Sequence, residues 1–163
     1  MRRLLILAAL LIAGASASVA QQRGPVTNLP MPRYVSMKAS EGYARRGPSS
    51  THRIDWVFKR RHMPLRVVGE YGHWRRVQDR EGVGGWMHYS LLSGSRTVIV
   101  EADEIVLRRA PDAASPIRAR LQRGVVAWLG ECEAGWCELE IDGAEGWTTT
   151  EALWGVEPGE TRD

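Results

Sequence analysis

Aromatic and basic side chains are concentrated in the stretch "GHWRRVQDREGVGGW", which places Trp74 and Trp86 on either side of a polar segment that contains glycine. Indole and phenol rings can stack on sugars or on cations. Tyr43, Arg45 and Tyr89 lie in the same half of the chain and could complete an aromatic and basic platform. These five residues predict a binding surface for a glycan or a peptide.

No pattern typical of a catalytic or metal site accompanies these residues. The four histidines are separated by 10, 11 and 15 residues, which matches no compact metal-binding motif. They are His52, His62, His73 and His88. The sequence has no nucleophile elbow, zinc-protease motif, Walker loop or dinucleotide fingerprint. We therefore expect a protein that is not an enzyme and that uses no metal or cofactor.

The two cysteines, Cys132 and Cys137, occur in "ECEAGWCEL". Four intervening residues suit a tight hairpin whose strands bring the two sulfur atoms together. A redox site would more commonly be Cys-x-x-Cys, and a zinc site would need a second pair of ligands. The sequence predicts a structural disulfide, which in so short a loop contributes on the order of 2 kcal/mol at most.

The sequence between these features is repeated. "YARRGP" returns as "VLRRAP" after 63 residues, and Trp74 returns as Trp136 after 62. Gly85–Trp86 returns as Gly146–Trp147 after 61, as expected for two homologous units whose turns differ by single residues. The two units are predicted at residues 34–94 and 97–156, joined through "SGSRT".

Each unit is predicted to be all-β. Runs such as "PLRVVGEY" and "GVVAWLGEC" are rich in β-branched or aromatic residues, and separators such as "EAG" and "DGAE" have hairpin-turn chemistry. About five short strands in a unit of this size favour a small closed barrel. Only "SLLSG" and "EALWG" could form a short helical turn.

Alternation along the strands indicates which side chains face the core. In "WCELEI" and "WRRVQD" the side that carries Leu139 and Val77 is the more apolar one, so Trp136 and Trp74 are predicted to point outward or across a groove. The interface between the two units is an alternative environment for Trp74. Trp86 follows a glycine in a central strand, where packing is the competing role.

The N-terminal sequence predicts export. "MRRLLILAALLIAGASASVA" has the basic, apolar and small-residue regions of a signal peptide (residues 1–20), with cleavage near Ala20. Its apolar run is too short to span a bilayer, so the mature chain is expected to have no transmembrane segment. An extended leader is predicted at residues 21–33 and a C-terminal tail at 157–163. The expected location is the periplasm or the exterior.

The charge is divided unequally between the two units. Residues 33–95 contain 12 basic and 5 acidic residues, whereas residues 96–163 contain 7 basic and 14 acidic residues. The oppositely charged halves could attract separate charged partners or could face each other. The basic cluster "FKRRHMPLR" does not indicate nucleic acid in an exported protein, because an anionic envelope component or solvent could face it equally well.

The sequence resembles a known family, the bacterial SH3-like domains of exported proteins, in a tandem arrangement. The resemblance rests on "YARRGPS", "GHWRRVQDREGVGGWMHYSLLSG", "VLRRAPD", "GWCELEIDGAEGW" and "LWGV", and it covers most of residues 30–158. It implies a small β-barrel for each unit and a targeting or ligand-binding role in the cell envelope.

The resemblance also implies positions for ligand-facing residues. In eukaryotic relatives of the fold a tryptophan at the start of the corresponding strand lines a peptide groove, and Trp74 and Trp136 match that position. The proline that helps to define a polyproline groove is replaced by His88 and Thr149, so proline-rich peptides are not the expected ligand.

These observations predict an exported, non-enzymatic binding module that contacts an envelope protein, a peptide or peptidoglycan through the basic first unit. One alternative is a structural scaffold or subunit whose aromatic faces bury each other. A less favoured alternative is an accessory of a cell-wall hydrolase.

Overall fold

The computed structural model describes residues 22–162, so the predicted signal peptide lies outside the described residues. Strands dominate this range, and one short 3-10 helix occurs in each unit, at Tyr89–Leu91 and Thr150–Ala152. Within the same range no helix is long and apolar enough to cross a membrane.

Fourteen strands form two separate sheets. The first sheet contains β1 (Arg33–Met37), β2 (Gly42–Arg45), β3 (Ile54–Phe58), β4 (Pro64–Tyr71), β5 (Trp74–Gln78), β6 (Gly84–His88) and β7 (Leu92–Ser93). The second contains β8 (Thr97–Val100), β9 (Glu104–Arg108), β10 (Ile117–Gln122), β11 (Val126–Glu133), β12 (Trp136–Ile141), β13 (Ala144–Thr149) and β14 (Leu153–Trp154).

The two sheets have the same topology. The strand orders are β3-β2-β6-β5-β4-β1-β7 and β10-β9-β13-β12-β11-β8-β14, so each strand of the first unit has an equivalent seven places later. The all-β class and the tandem SH3-like architecture are thereby confirmed. Each unit has seven strands rather than about five, because β7 and β14 contain only two residues and β3 is mostly exposed, without a clear alternating pattern.

Each sheet encloses its own hydrophobic core. Val77 and Leu139 are fully buried, whereas Trp74 and Trp136 on the opposite faces of the same strands are half-buried. The alternation argument therefore holds in both units. Burying one such aliphatic side chain contributes about 1.5–3 kcal/mol relative to leaving it exposed.

Irregular pairing bends the longest strand of each unit. The register shifts between Val67 and Gly69 in β4 and between Leu129 and Cys132 in β11. A bulge increases the local bend and twist of a strand, which lets a small sheet curl around its core. Because the bulges lie in β4 and β11, the alternation in β5 and β12 is not interrupted.

The predicted disulfide is confirmed. Cys132 and Cys137 are opposite each other in the β11–β12 hairpin, with Cα atoms 4.1 Å apart, and their sulfur atoms are bonded. Ala134 and Gly135 form the turn with φ values of 47° and 82°, the positive values that a tight type I′ hairpin turn requires. Both cysteines are buried in the core of the second unit.

In the first unit, a buried ion pair occupies the place of the disulfide. The last residue pair before the hairpin turn is Tyr71 with Trp74 in the first unit and Glu133 with Trp136 in the second. The next pair away from the turn is Glu70 with Arg75 in the first unit, and it corresponds to the two cysteines of the second unit. Arg75 Nε lies 3.6 Å from Glu70 Oε1, and the Glu70 side chain has no exposed surface. This pairing explains how a basic residue can occupy a core-facing position beside Val77.

The expectation of a simply extended leader is wrong for residues 22–33. The chain folds into a turn, with hydrogen bonds from Asn28 N–H to the Gly24 carbonyl (2.9 Å) and from Gly24 N–H to the Leu29 carbonyl (2.8 Å). The reason is the Glu70 carboxylate, which accepts hydrogen bonds from Thr27 N–H (2.9 Å) and from the Thr27 hydroxyl (2.6 Å). The segment is thus fixed to the first unit.

The predicted C-terminal tail also returns to the fold in its described part. Arg162 and Cys132 exchange two backbone hydrogen bonds of 2.8 and 3.0 Å. Glu160 forms an ion pair of 2.9 Å with Arg96. These contacts attach the tail to the edge of the second unit beside the disulfide.

The two units touch through a small set of polar and aromatic contacts. The Thr97 hydroxyl donates a 2.7 Å hydrogen bond to the His62 carbonyl. The rings of Tyr34 and Trp154 meet edge to face with centroids 5.2 Å apart. Arg66 lies 3.9 Å from Glu157, so part of the charge difference between the halves is met within one molecule.

Candidate functional site: an aromatic and basic face of the first sheet

Trp86 lies between two arginines on the outer face of the first sheet. It is opposite Arg45 on β2 and opposite Arg76 on β5. Residues directly opposite each other in an antiparallel pair point to the same face and lie close enough to interact. The row Arg45–Trp86–Arg76 therefore places one indole ring between two arginine residues on the same face, and Arg45 also donates a 2.7 Å hydrogen bond to the His52 carbonyl.

Gly69 leaves room for the Trp86 ring. It is opposite Arg76 on β4, and a Cβ atom at this position would lie 3.3 Å from the Arg76 Cβ and 3.7 Å from the Trp86 Cη2. The indole of Trp86 thus reaches from β6 across β5 to β4. A side chain larger than glycine would compete with the ring for this surface.

Trp74 belongs to a cluster of rings next to this row. It is opposite His88, and the two rings meet edge to face with centroids 5.6 Å apart. The His88 ring lies 4.9 Å from Tyr89 and 5.9 Å from His73. Tyr89 is 50% exposed, so the cluster remains open to solvent. We call Arg45, Trp74, Arg76, Trp86, His88 and Tyr89 the basic–aromatic face.

His88 is held by a local hydrogen bond. Its Nδ1 lies 2.7 Å from the Ser90 hydroxyl and accepts a hydrogen bond from the Ser90 N–H at the start of the short 3-10 helix. The ring orientation is therefore fixed by the turn that follows β6. Trp74 in turn is oriented by contact with this ring.

The structure brings together most of the candidates from the sequence. Arg45, Trp74 and Trp86 share one face, and Tyr89 adjoins it through His88. Tyr43 is exposed on β2, two residues before Arg45, and the neighbouring Glu41 raises the pKa of its hydroxyl chiefly through a hydrogen bond. Trp136 lies apart from this face, at the equivalent position of the second unit.

Sequence reasoning missed Arg76 and His88 as members of the site. Arg76 follows Trp74 by two residues and so shares its face, which the alternation already implied. The approach of His88 to Trp74 depends on the β5–β6 register, which the sequence does not specify.

The second sheet has the same arrangement, with a carboxylate in place of one of the two guanidinium groups. Trp147 is opposite Arg108 on β9 and opposite Glu138 on β12, and Gly130 lies beside Glu138. Glu138 therefore takes the place of Arg76. Trp136 is opposite Thr149, which takes the place of His88.

Negative charge accumulates around Glu138. Burial, followed by the charges of Glu145 and Glu131, raises the pKa of its carboxyl group. The carboxylates of Glu145 and Glu140 flank it on the neighbouring positions of the same face. The second sheet thus offers an acidic counterpart to the basic–aromatic face.

A free thiol and a cluster of metal-ligating side chains are not found among the described residues. Both cysteines are consumed by the disulfide, so neither is a free thiol. Within residues 22–162 no three metal-ligating side chains meet at one place. What the exposed rings and guanidinium groups can do is stack and pair with an anion.

The chain resembles two solved structures, each roughly twice as long as the region that it matches. One is NlpC2 from Trichomonas vaginalis, with 12% identity and a TM-score of 0.36, covering 76% of this chain and 48% of that one. The other is NlpC1 from the same organism, with 13% identity and a TM-score of 0.34, covering 89% and 50%. Similarity at this level says nothing about activity. No curated protein matches the chain.

A family model gives the clearer result. The model described as the bacterial SH3 domain matches the chain twice, over residues 38–94 and 101–155. The first match covers β2 to β7 and the second covers β9 to β14, and together they cover more than half of the chain. The chain therefore belongs to the bacterial SH3 domain family and contains two copies of that domain in tandem.

Proposed function

We propose that this protein is an exported, non-enzymatic binding module of the bacterial cell envelope and that its basic–aromatic face contacts peptidoglycan. The observation that carries the proposal is the row Arg45–Trp86–Arg76 beside the half-buried rings of Trp74 and His88 and the exposed ring of Tyr89. Sugar rings stack on indole faces, and the peptide carboxylates of the wall pair with guanidinium groups. The family membership and the disulfide support a role outside the cytoplasm.

The charges on the two faces support peptidoglycan binding by the first unit and not by the second. The first face presents Arg45 and Arg76, whereas the second retains Arg108 but presents Glu138 in place of Arg76, with Glu140 and Glu145 beside it. An anionic polymer is attracted to the first and repelled by the second. The second unit is thus a natural internal control for any binding experiment.

The scaffold alternative predicted that Trp74 would be enclosed between the two units. In the structure its ring neighbour is His88 of its own unit, and the aromatic contact between units is made by Tyr34 and Trp154. This arrangement favours a ligand-facing role for Trp74.

Retention on purified peptidoglycan tests the proposal. The protein with the substitution Trp74→Ala should lose about tenfold in apparent affinity, the effect of removing one stacking contact of about 1.4 kcal/mol. The matched variant Trp136→Ala should bind like the unmodified protein. Equal binding by both variants would remove the basic–aromatic face from consideration, and retention of an envelope protein instead of the glycan would assign the face to a protein partner.

A further inference from the structure

A cleft of about 230 Å³ lies between the two units, away from the basic–aromatic face. The loop from β3 to β4 supplies one wall through Arg60, Arg61 and His62. Strands β11 and β12 and the turn after them supply the other wall, through Trp128, Glu140 and Asp142.

The cleft is built by contacts that fix the loop to both units. His62 has a φ of 64°, a left-handed conformation that is uncommon outside glycine. In this conformation its N–H donates to the Met37 carbonyl (2.9 Å) and its carbonyl accepts from the Thr97 hydroxyl (2.7 Å). Backbone held in a sparsely populated region is often associated with a site that needs a fixed shape.

An aromatic surface forms part of the lining. The rings of His62 and Trp128 are tilted toward each other with centroids 4.7 Å apart. Trp128 remains 38% exposed despite this contact. It projects from β11 opposite Glu140, so its indole and this carboxylate share one face of the second sheet.

The two walls carry opposite charges that do not neutralise each other. Arg60 uses one guanidinium N–H to bind the Gly124 carbonyl (2.9 Å), which leaves its charge uncompensated. Over residues 22–162 none of the ion pairs within 4.0 Å includes Arg60, Arg61, Glu140 or Asp142. A ligand with a single charge would be repelled by the wall of the same sign, whereas a ligand with one positive and one negative group can pair with both walls.

We propose that this cleft binds a small zwitterion, a free amino acid or a short peptide that has both a free amino group and a free carboxylate. The carboxylate pairs with the guanidinium groups of Arg60 and Arg61. The ammonium group lies between Glu140 and Asp142 and next to the indole face of Trp128, where a cation is also attracted by the ring. This site is separate from the proposed peptidoglycan-binding face.

Alanyl-alanine in four forms is the direct probe. The forms are the zwitterion, the N-acetylated anion, the C-amidated cation and the doubly blocked neutral peptide. Titration of the whole protein is followed by the indole N–H signal of Trp128 in a nitrogen-15 NMR spectrum. We expect the zwitterion to shift this signal with a dissociation constant in the millimolar range or tighter, and each single block to weaken binding at least about tenfold.

Variants of each wall test which charged group of the ligand that wall binds. The double substitution Glu140→Gln with Asp142→Asn should weaken binding of the zwitterion and strengthen that of the anion, because it removes the wall that repels the anion, and asparagine suits the φ of 49° at position 142. Arg61→Gln should weaken binding of the zwitterion and should not weaken that of the cation, because it reduces the repulsion on the cation. Trp136→Ala is the control and should change neither.

The proposal is overturned if no form shifts the Trp128 signal, if all four forms shift it equally, or if one singly charged form binds as well as the zwitterion. Unchanged spectra for residues away from the cleft would show that the variants are folded. The alanyl-alanine titration and the peptidoglycan retention experiment with Trp74→Ala test separate proposals, because the two sites share no residue. Either proposal can fail while the other stands.

Discussion

At the scale of single residues, the two domains differ mainly in what surrounds a tryptophan that both contain at the equivalent position. Trp86 and Trp147 occupy equivalent places, each opposite an arginine on the neighbouring strand. The third member of the row is Arg76 in the first unit and Glu138 in the second. One side chain therefore changes a row with two positive charges into a row with one charge of each sign, while the strand pairing stays the same.

Reversing the charge at position 76 should weaken peptidoglycan binding by the first unit. Arg76→Glu is expected to lower peptidoglycan retention about tenfold or more at low salt, because it replaces attraction by repulsion. The free energy of unfolding should change by no more than about 0.5 kcal/mol, since Arg76 is exposed. Retention and thermal unfolding are the two measurements.

The control for this variant is Arg109→Glu, which makes the same change in net charge at an exposed position of the second unit. If both variants lose retention equally, net charge explains the binding and the row around Trp86 does not.

Alternation in the sequence was sufficient to separate core from surface in β5 and β12. It placed Val77 and Leu139 inward and Trp74 and Trp136 outward, as the structure has them. It could not show that Trp86 extends over Gly69, because that contact depends on the β4 bulge and on register across three strands. Contacts between strands need geometry that a one-dimensional pattern does not contain.

At the scale of elements, each domain uses the same pair of strand positions to hold a terminal segment. In the second domain Cys132 is bonded to Cys137 and its backbone pairs with Arg162. In the first domain Glu70 pairs with Arg75 and its carboxylate binds the turn at Val26 and Thr27. The short cysteine spacing made the disulfide predictable, whereas the role of Glu70 depends on contacts more than 40 residues away in the chain.

The Glu70 carboxylate should make the first domain sensitive to acid. Burial alone would raise its pKa, but hydrogen bonds from Thr27, Arg33 and Val26 lower it to about 2. A lowered pKa means that the stabilisation is complete above the ordinary value near 4.5 and is lost as the pH falls toward 2. Urea unfolding between these pH values should show this loss in the unmodified protein.

The substitution Glu70→Gln should remove that pH dependence and cost about 3–5 kcal/mol at neutral pH, as expected when one partner of a buried ion pair is removed. Limited trypsin digestion should then cut faster at Arg23, since the turn at Thr27 loses its anchor. Glu81→Gln, at an exposed carboxylate, is the matched control. An unchanged cutting rate in the Glu70 variant would contradict the anchoring role.

Removal of the disulfide should affect the second domain only. Replacing both Cys132 and Cys137 by serine is expected to cost about 2 kcal/mol, because the closed loop is short. Hydrogen exchange should become faster in β11 and β12 and should not change in β4 and β5. Faster exchange in both domains to the same extent would contradict the separation of the two cores.

At the scale of the whole molecule, a near balance of charge conceals two domains of opposite sign. The sequence left open whether these charges meet within one molecule, and among residues 22–162 a single ion pair, Arg66 with Glu157, joins the two charged halves. The repeat itself was predictable from sequence offsets. The mutual placement of the domains was not, because it depends on contacts such as Tyr34 with Trp154 and His62 with Thr97.

The exposed positive domain should make wall binding dependent on salt. Screening shortens the range of electrostatic attraction from about 10 Å at 0.1 M to about 3 Å at 1 M salt. Retention of the protein on peptidoglycan should therefore fall steeply over this range, and a smaller residual retention should persist through stacking on Trp74. Retention that does not change with salt would contradict the role of Arg45 and Arg76.

The most direct measurement of the central claim follows the indole N–H signals of the seven tryptophans while soluble peptidoglycan fragments are added. We predict that the signals of Trp74 and Trp86 shift in a saturable manner and that those of Trp136 and Trp147 stay in place. Shifts confined to the second domain, or no shift at Trp74 and Trp86 under saturating fragment, would contradict the assignment of the basic–aromatic face as the binding surface.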